Sequence, residues 1–323
     1  MSKPIAIVAG EPNSISSEII FKSWLLRNKY QHKPFFIIGS IKILNKQKKK
    51  LNYKIKIKEI NIKSIKKNLK SNHLLVYNID FNQKKAFEKI SSKSSNYILK
   101  CFDAAVELAT NRKIIGFINC PISKEVLFKK KHQGITEFLS KKIGKKGEEV
   151  MLIYNKKLSV APVTTHIPLR EVSSKIKKEN IIKKVKIIDR FYKNKFKLKP
   201  KFGILGLNPH NFLHTKKTEE QIVICKAINE LKKIKINVSG PIPTDSSFMH
   251  QNIKDFNVII GMYHDQVLTP FKAIYNYDAI NITLGLSFIR ISPDHGVAQD
   301  IAGKNIAVAT SMIESIKFFN KIK

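Results

Sequence analysis

Arginine is scarce in this chain. Only Arg27, Arg112, Arg170, Arg190 and Arg290 occur among 60 basic residues, the rest being lysine, against 24 acidic ones. The resulting net charge of +36 is the electrostatic footprint of a nucleic-acid-binding protein. Arginine, however, is the residue preferred for forked reading of phosphates and guanines. A lysine excess alongside abundant isoleucine and asparagine points to A/T-rich codons, so nucleic acid is not the expected partner. Cysteine is sparse as well: Cys101, Cys120 and Cys225 are odd in number and far apart, which excludes a disulfide framework and a cysteine-rich zinc site. No apolar run approaches the roughly 18 residues of a membrane span. Met1-Ser2-Lys3-Pro4 leads straight into the apolar run Ile5–Ala9, leaving no room for a signal peptide, and a cytoplasmic location is expected. Internal repeats and long Pro/Gly/Ser linkers are missing too. No G-x-G-x-x-G follows an expected strand, so a Rossmann-type site is not supported and the cofactor-binding residues stay unassigned.

What is present suits an α/β protein. With 323 residues, 43% of them hydrophobic, the chain can bury the core of one large unit or two packed lobes. Short apolar runs alternate with amphipathic stretches, the pattern of strands and helices around a largely parallel sheet. Strands are expected at Ile5–Ala9, Phe35–Ile38, Leu74–Tyr77, Ile114–Ile118, Val150–Tyr154, Ser159–Val163, Phe202–Leu207, Val258–Met262 and Ile280–Leu284. Helical periodicity places Ile98, Phe102, Ala105, Val106 and Ala109 on one face of Tyr97–Ala109, and Glu219–Lys232 reads the same way. The lysine-rich Lys42–Lys70 stretch is expected to be a small peripheral strand-and-helix element with a solvated face.

Three of the nine histidines share a context. His166, His210 and His264 each stand where an apolar strand run stops, and in open α/β sheets the carboxyl ends of strands form the ligand crevice. Three neutral imidazoles converging there would hold a divalent metal with open positions, and Asp265 adjoins one of them. A histidine at a strand end also suits a satisfied loop residue, and separations of this length carry no zinc-finger spacing. Arg290 closes the segment Asn281–Arg290, which follows Lys272. It suits either a forked grip on phosphate or carboxylate or a surface ion pair. Gly10-Glu11-Pro12-Asn13-Ser14 occupies the place of a phosphate-binding turn without the dinucleotide glycine spacing.

These residues, with Pro121 and Lys124, Gly134 with Thr136-Glu137-Phe138, Thr164 to Arg170, Gly206 to His210, Gly240-Pro241 with Pro243 and Asp245, Tyr263 to Gln266, Asp294-His295-Gly296 and Ala302-Gly303, run in the order of the 4-hydroxythreonine-4-phosphate dehydrogenase family, which the chain resembles over almost its whole length. The resemblance implies an isocitrate/isopropylmalate dehydrogenase-like fold of two α/β lobes flanking a central cleft. One lobe would hold residues 1–125 plus 265–323 and the other 126–264 with a dimer interface. It implies a homodimer with shared active sites, NAD or NADP, and one divalent metal per subunit (zinc, magnesium or cobalt) on His166, His210 and His264, the last reaching across the interface. Thr136, Lys272, Asn281 and Arg290 match positions that hold the phosphorylated amino-acid substrate, with Asp245 and Lys272 as candidates for proton transfer. The implied reaction is oxidation of 4-(phosphooxy)-L-threonine, then decarboxylation to 3-amino-2-oxopropyl phosphate, in pyridoxal phosphate biosynthesis.

Three positions depart from the family pattern. Two turn glycines are Ser14 and Ser16, which restricts φ. The substrate-contacting histidine before Thr136 is Ile135, which cannot donate a hydrogen bond. The glycine-rich loop after His210 reads Asn211-Phe212-Leu213-His214-Thr215. Alternatives that keep the metal site are a dehydrogenase of threonate or erythronate 4-phosphate or of a diol acid. A basic nucleic-acid-binding protein on a retained enzyme scaffold is the alternative from another class.

Overall fold

Apolar runs too short for a helix become strands buried on both faces. The computed structural model describes residues 3–62, 65, 71–129, 134–212, 217–276 and 278–322. Among them twelve strands form: β1 (Ile5–Val8), β2 (Phe35–Gly39), β3 (Ile57–Glu59), β4 (Leu74–Asn78), β5 (Gly116–Asn119), β6 (Val150–Tyr154), β7 (Ser159–Pro162), β8 (Phe202–Leu205), β9 (Val238–Ile242), β10 (Val258–Gly261), β11 (Ile280–Leu284) and β12 (Ile289–Pro293). Every residue of β1, β2, β5, β7, β8 and β10 is buried, the pattern of parallel strands covered on both sides.

The chain divides into two compact units, 1–135 with 287–322 and 136–286. The first orders its strands β3-β4-β2-β1-β5-β12, all neighbours parallel. Gly116 lets β5 and β12 approach: a Cβ there would lie 2.4 Å from the Ile289 carbonyl oxygen. The helix Ser95–Thr110 buries Ile98, Phe102, Ala105, Val106 and Ala109, the expected face. The second unit orders its strands β11-β6-β7-β10-β8-β9, with β11–β6 and β6–β7 antiparallel and the rest parallel.

The nine expected strands all form, Val150–Tyr154 and Ile280–Leu284 at the expected bounds. Two others were not anticipated: β9 carries Gly240 and Pro241 and β12 ends on Pro293, residues that read as breakers. Within the lysine-rich stretch the helix is Ile41–Lys50 and the strand β3; residues 63, 64 and 66–70 lie outside the described ones.

The expected lobe boundaries at 125/126 and 264/265 are displaced to 135/136 and 286/287. The cause is packing. The helix His264–Tyr275 buries Val267, Leu268 and Phe271 in one cluster with Val160, Leu205 and Ile259, and β11 pairs with β6, so residues 265–286 belong to the second unit. No helix among the described residues is long and apolar enough to cross a membrane. Truncating the fully buried Phe271 to alanine is expected to cost about 3–5 kcal/mol. The check is a lowered urea midpoint, with hydrogen-exchange protection lost first within 136–286.

Candidate functional site

The pairing of β7 with β10 continues past both strands. Val163 N–H donates to the Gly261 carbonyl at 2.7 Å, and Thr164 donates to Met262 O from its amide at 3.1 Å and its hydroxyl at 2.7 Å. The zipped segments carry His166 and His264 to ring centroids 5.7 Å apart, with planes inclined by 40°. Gln266, 5% exposed, ties in the neighbouring chains. Its Oε1 accepts from Met262 N–H at 2.6 Å, and its amide nitrogen donates to Gly206 O at 2.7 Å and Thr244 Oγ1 at 2.8 Å. One buried side chain thereby joins the segments that bear His264, His210 and Asp245.

His210 sits on a strained turn, with φ of 53° there and 63° at Asn211. Left-handed backbone at two successive non-glycine residues needs outside support. Asn211 supplies part of it, donating from its amide to Pro241 O at 2.9 Å. Glu220 supplies more, accepting from the amides of Leu207 and Asn208 at 2.7 Å and from the Asn208 side chain at 2.9 Å. Burial pushes the Glu220 carboxyl up, but the hydrogen bonds from Asn208 and Leu207 outweigh it and the net displacement is downward. Bonds from Ser173 and Asn208 hold Glu219 down as well. Of the altered loop, residues 213–215 lie outside the described ones.

Each histidine turns Nδ1 towards a carboxylate. His264 Nδ1 lies 2.7 Å from Asp265 Oδ1, His166 Nδ1 3.5 Å from Glu137 Oε1, and His210 Nδ1 3.7 Å from Asp245 Oδ2. A carboxylate at Nδ1 orients an imidazole and favours Nε2 as the metal donor. The described residues of one chain do not gather three metal-capable side chains into a cluster. They form two pairs, His166 with His264 and His210 with Asp245, so the expected convergence of three imidazoles is not met within one chain. His264, expected across an interface, lies beside His166 of its own chain.

The substrate candidates fall in different places. Thr136, on the first turn of the helix Ile135–Lys142, has its hydroxyl 3.2 Å from that of Thr283. Asn281 lies on the same face of β11 as Thr283. Its Oδ1 is buried and meets no hydrogen-bond partner among the described residues, and an orphaned buried acceptor calls for a ligand or water. Ile135 is buried. Lys272 is exposed further along the helix that begins at His264. Arg290 belongs to the first unit and is 2% exposed, its Nε donating to Asn119 Oδ1 at 2.6 Å. The surface-ion-pair alternative for Arg290 is therefore wrong. Glu137 and Gln266 stand in motifs the sequence offers, but their roles, like that of Glu220, escape sequence reasoning, because a lone acid or amide on a helix reads as solvated surface.

The serine-substituted turn is unstrained. Positive φ occurs at Gly10 and at neither Ser14 nor Ser16, and a Cβ at Gly10 would lie 2.5 Å from Pro121 O. Ser14 Oγ donates to Glu11 O at 2.6 Å and lies 2.7 Å from Ser16 Oγ. Also in the first unit is an open cavity of about 580 Å³ lined by Lys84, Lys85, Phe87, Glu88, Lys89 and Gln299.

Residues 31–319 match the family described as pyridoxal phosphate biosynthetic protein PdxA. The chain is 40% identical to the 4-hydroxythreonine-4-phosphate dehydrogenase of Sulfurihydrogenibium sp., over 97% of this chain and 96% of that one. It is 34% identical to a protein of Oceanobacillus iheyensis provisionally named D-threonate 4-phosphate dehydrogenase, over 97% and 96% respectively. The crystal structure of 4-hydroxythreonine-4-phosphate dehydrogenase from Klebsiella pneumoniae superposes with a TM-score of 0.85 at 27% identity, covering 99% of each chain.

The depressed Glu219 and Glu220 carboxyls make the His210 turn acid-sensitive. Groups whose pKa is lowered on folding stabilise fully above their unfolded value, near 4.5, and that stability is lost as pH falls through the folded value. Amide exchange at Leu207 and Asn208 is therefore expected to accelerate beyond its intrinsic pH trend below about pH 4.5, and Glu220→Gln is expected to flatten that pH dependence.

Proposed function

The chain belongs to the pyridoxal phosphate biosynthetic protein PdxA family, and from that premise we propose that it is a nicotinamide- and divalent-metal-dependent dehydrogenase oxidising 4-(phosphooxy)-L-threonine, whose 3-keto product decarboxylates to 3-amino-2-oxopropyl phosphate. The observation that carries the reading is the common orientation of His166, His210 and His264, each with Nδ1 towards a carboxylate.

These residues fit a divalent ion as far as one chain goes. His166 and His264 would offer Nε2 from adjacent rings, and further donors would come from a second copy of the chain, making the enzyme a homodimer. When bound, the ion supplies Lewis acidity towards the substrate hydroxyl and the nicotinamide a two-electron acceptor. The chain's own residues bind and orient. Thr136 and Thr283 form a hydroxyl pair suited to phosphate oxygens, and Asn281 beside them has amide hydrogen-bonding capacity to spend on substrate. Lys272 adds a positive charge for the phosphate. Arg290, held through Nε by Asn119, would present its guanidinium in a fixed direction to an anionic group. Asp245 is the stronger candidate for taking up the hydroxyl proton, at Oδ2, because that oxygen lies 3.7 Å from His210 Nδ1. For the cofactor we propose the first unit's cavity: the Phe87 ring with Lys84, Lys85 and Lys89 suits a purine bearing phosphates.

A second substrate reading, D-threonate 4-phosphate, draws on Ile135, an apolar side chain where the family pattern has an imidazole, and on the Oceanobacillus relative. Purified protein is expected to reduce NAD or NADP with 4-(phosphooxy)-L-threonine only when a divalent cation is present, with His166→Ala and His210→Ala each abolishing turnover. Full activity in excess chelator would count against the metal. Oxidation of threonate 4-phosphate at least about ten times faster, roughly 1.4 kcal/mol of transition-state preference, would move the assignment to the second substrate.

A further inference from the structure

Glu137 follows Thr136 on the first turn of the helix Ile135–Lys142, and its Oε1 lies 3.5 Å from His166 Nδ1. It differs from the other two carboxylates that face histidines. Its side chain is 24% exposed, against 64% for Asp245 and 79% for Asp265, so solvent screens it less. It also has a charged support. Lys184, half-buried on the helix Lys178–Phe191, lies within electrostatic reach of both Glu149 and Glu137. Burial pushes the Lys184 ammonium below the usual lysine range, and those two carboxylates oppose the change. Glu149 is itself pinned, its Oε2 accepting from Ser140 Oγ at 2.7 Å and from Gly147 N–H at 2.6 Å. Glu149 and Glu137 thus share the field of one half-buried ammonium, and Glu137 faces His166.

We propose that Glu137 is the positioning residue of His166: its carboxylate keeps the imidazole proton on Nδ1 and so offers Nε2 to a divalent cation. The assignment rests on the metal-dependent reading above.

The test is a Co²⁺ titration of the full-length apoprotein with no substrate or nicotinamide present. Loss of an outer-shell partner lowers metal affinity by about 10–100-fold, the range expected for Glu137→Gln, a variant of nearly unchanged shape. Unchanged Co²⁺ affinity in Glu137→Gln overturns the proposal. Nitrogen NMR of the wild-type imidazoles needs no variant to fold: His166 is expected as the Nδ1–H tautomer, and an Nε2–H tautomer overturns the proposal. Co²⁺ binding that His166→Ala leaves untouched would instead overturn the metal reading, while the tautomer still reports on Glu137.

Discussion

Gln266 is a single neutral side chain, yet the second unit's candidate site is assembled around it. Parallel strands end in loops with no ladder of their own, and loops this close to a sheet edge carry polar backbone that has to be satisfied. One buried amide meets two of those needs, at Met262 N–H and Gly206 O, and donates to the Thr244 hydroxyl as well. An amide offers two donors and an acceptor of two lone pairs, so a carboxylate, which only accepts, could not replace it. His210, His264 and Asp245 sit on the segments so joined, and their geometry follows from a hydrogen-bond pattern that none of them makes.

Around that point the site uses acids more than bases, although the chain holds far more bases. Glu137, Asp245 and Asp265 face the imidazoles, and Glu219 and Glu220 hold the turn on which His210 stands. Against a background of +36, five placed carboxylates act through contact distance, while most lysines remain separated by water and salt. The excess charge can raise the local concentration of anionic substrate and cofactor. It does not distinguish one anion from another.

The sheet was the more legible part of the molecule. Runs such as Ile5–Val8 and Val258–Gly261 are apolar throughout, and burial on both faces is the state that such composition favours. β9 and β12 were not legible, because Gly240, Pro241 and Pro293 read as breakers, and only the strand order shows that Gly240 and Pro241 stand on an edge strand, which tolerates them. The unit boundary was misplaced for a similar reason. Nothing in His264–Tyr275 itself says that Val267, Leu268 and Phe271 pack under β7 and β10 and not in the first unit. Ser14 and Ser16 looked costly where glycine is usual, and the fold places positive φ at Gly10 instead.

By itself the sequence determined the fold class, the family and the short roster of chemically capable residues, since these depend on apolar periodicity and on the order of motifs along the chain. Tertiary structure decided which of those residues meet. His166 and His264 are brought ring to ring, His210 is set with Asp245, and Arg290 is buried against Asn119. Glu137 enters the site from a helix remote in sequence from His166. The physical reason is that side-chain proximity is set by strand register and by buried hydrogen bonds between distant segments, neither of which leaves a local trace in residue order.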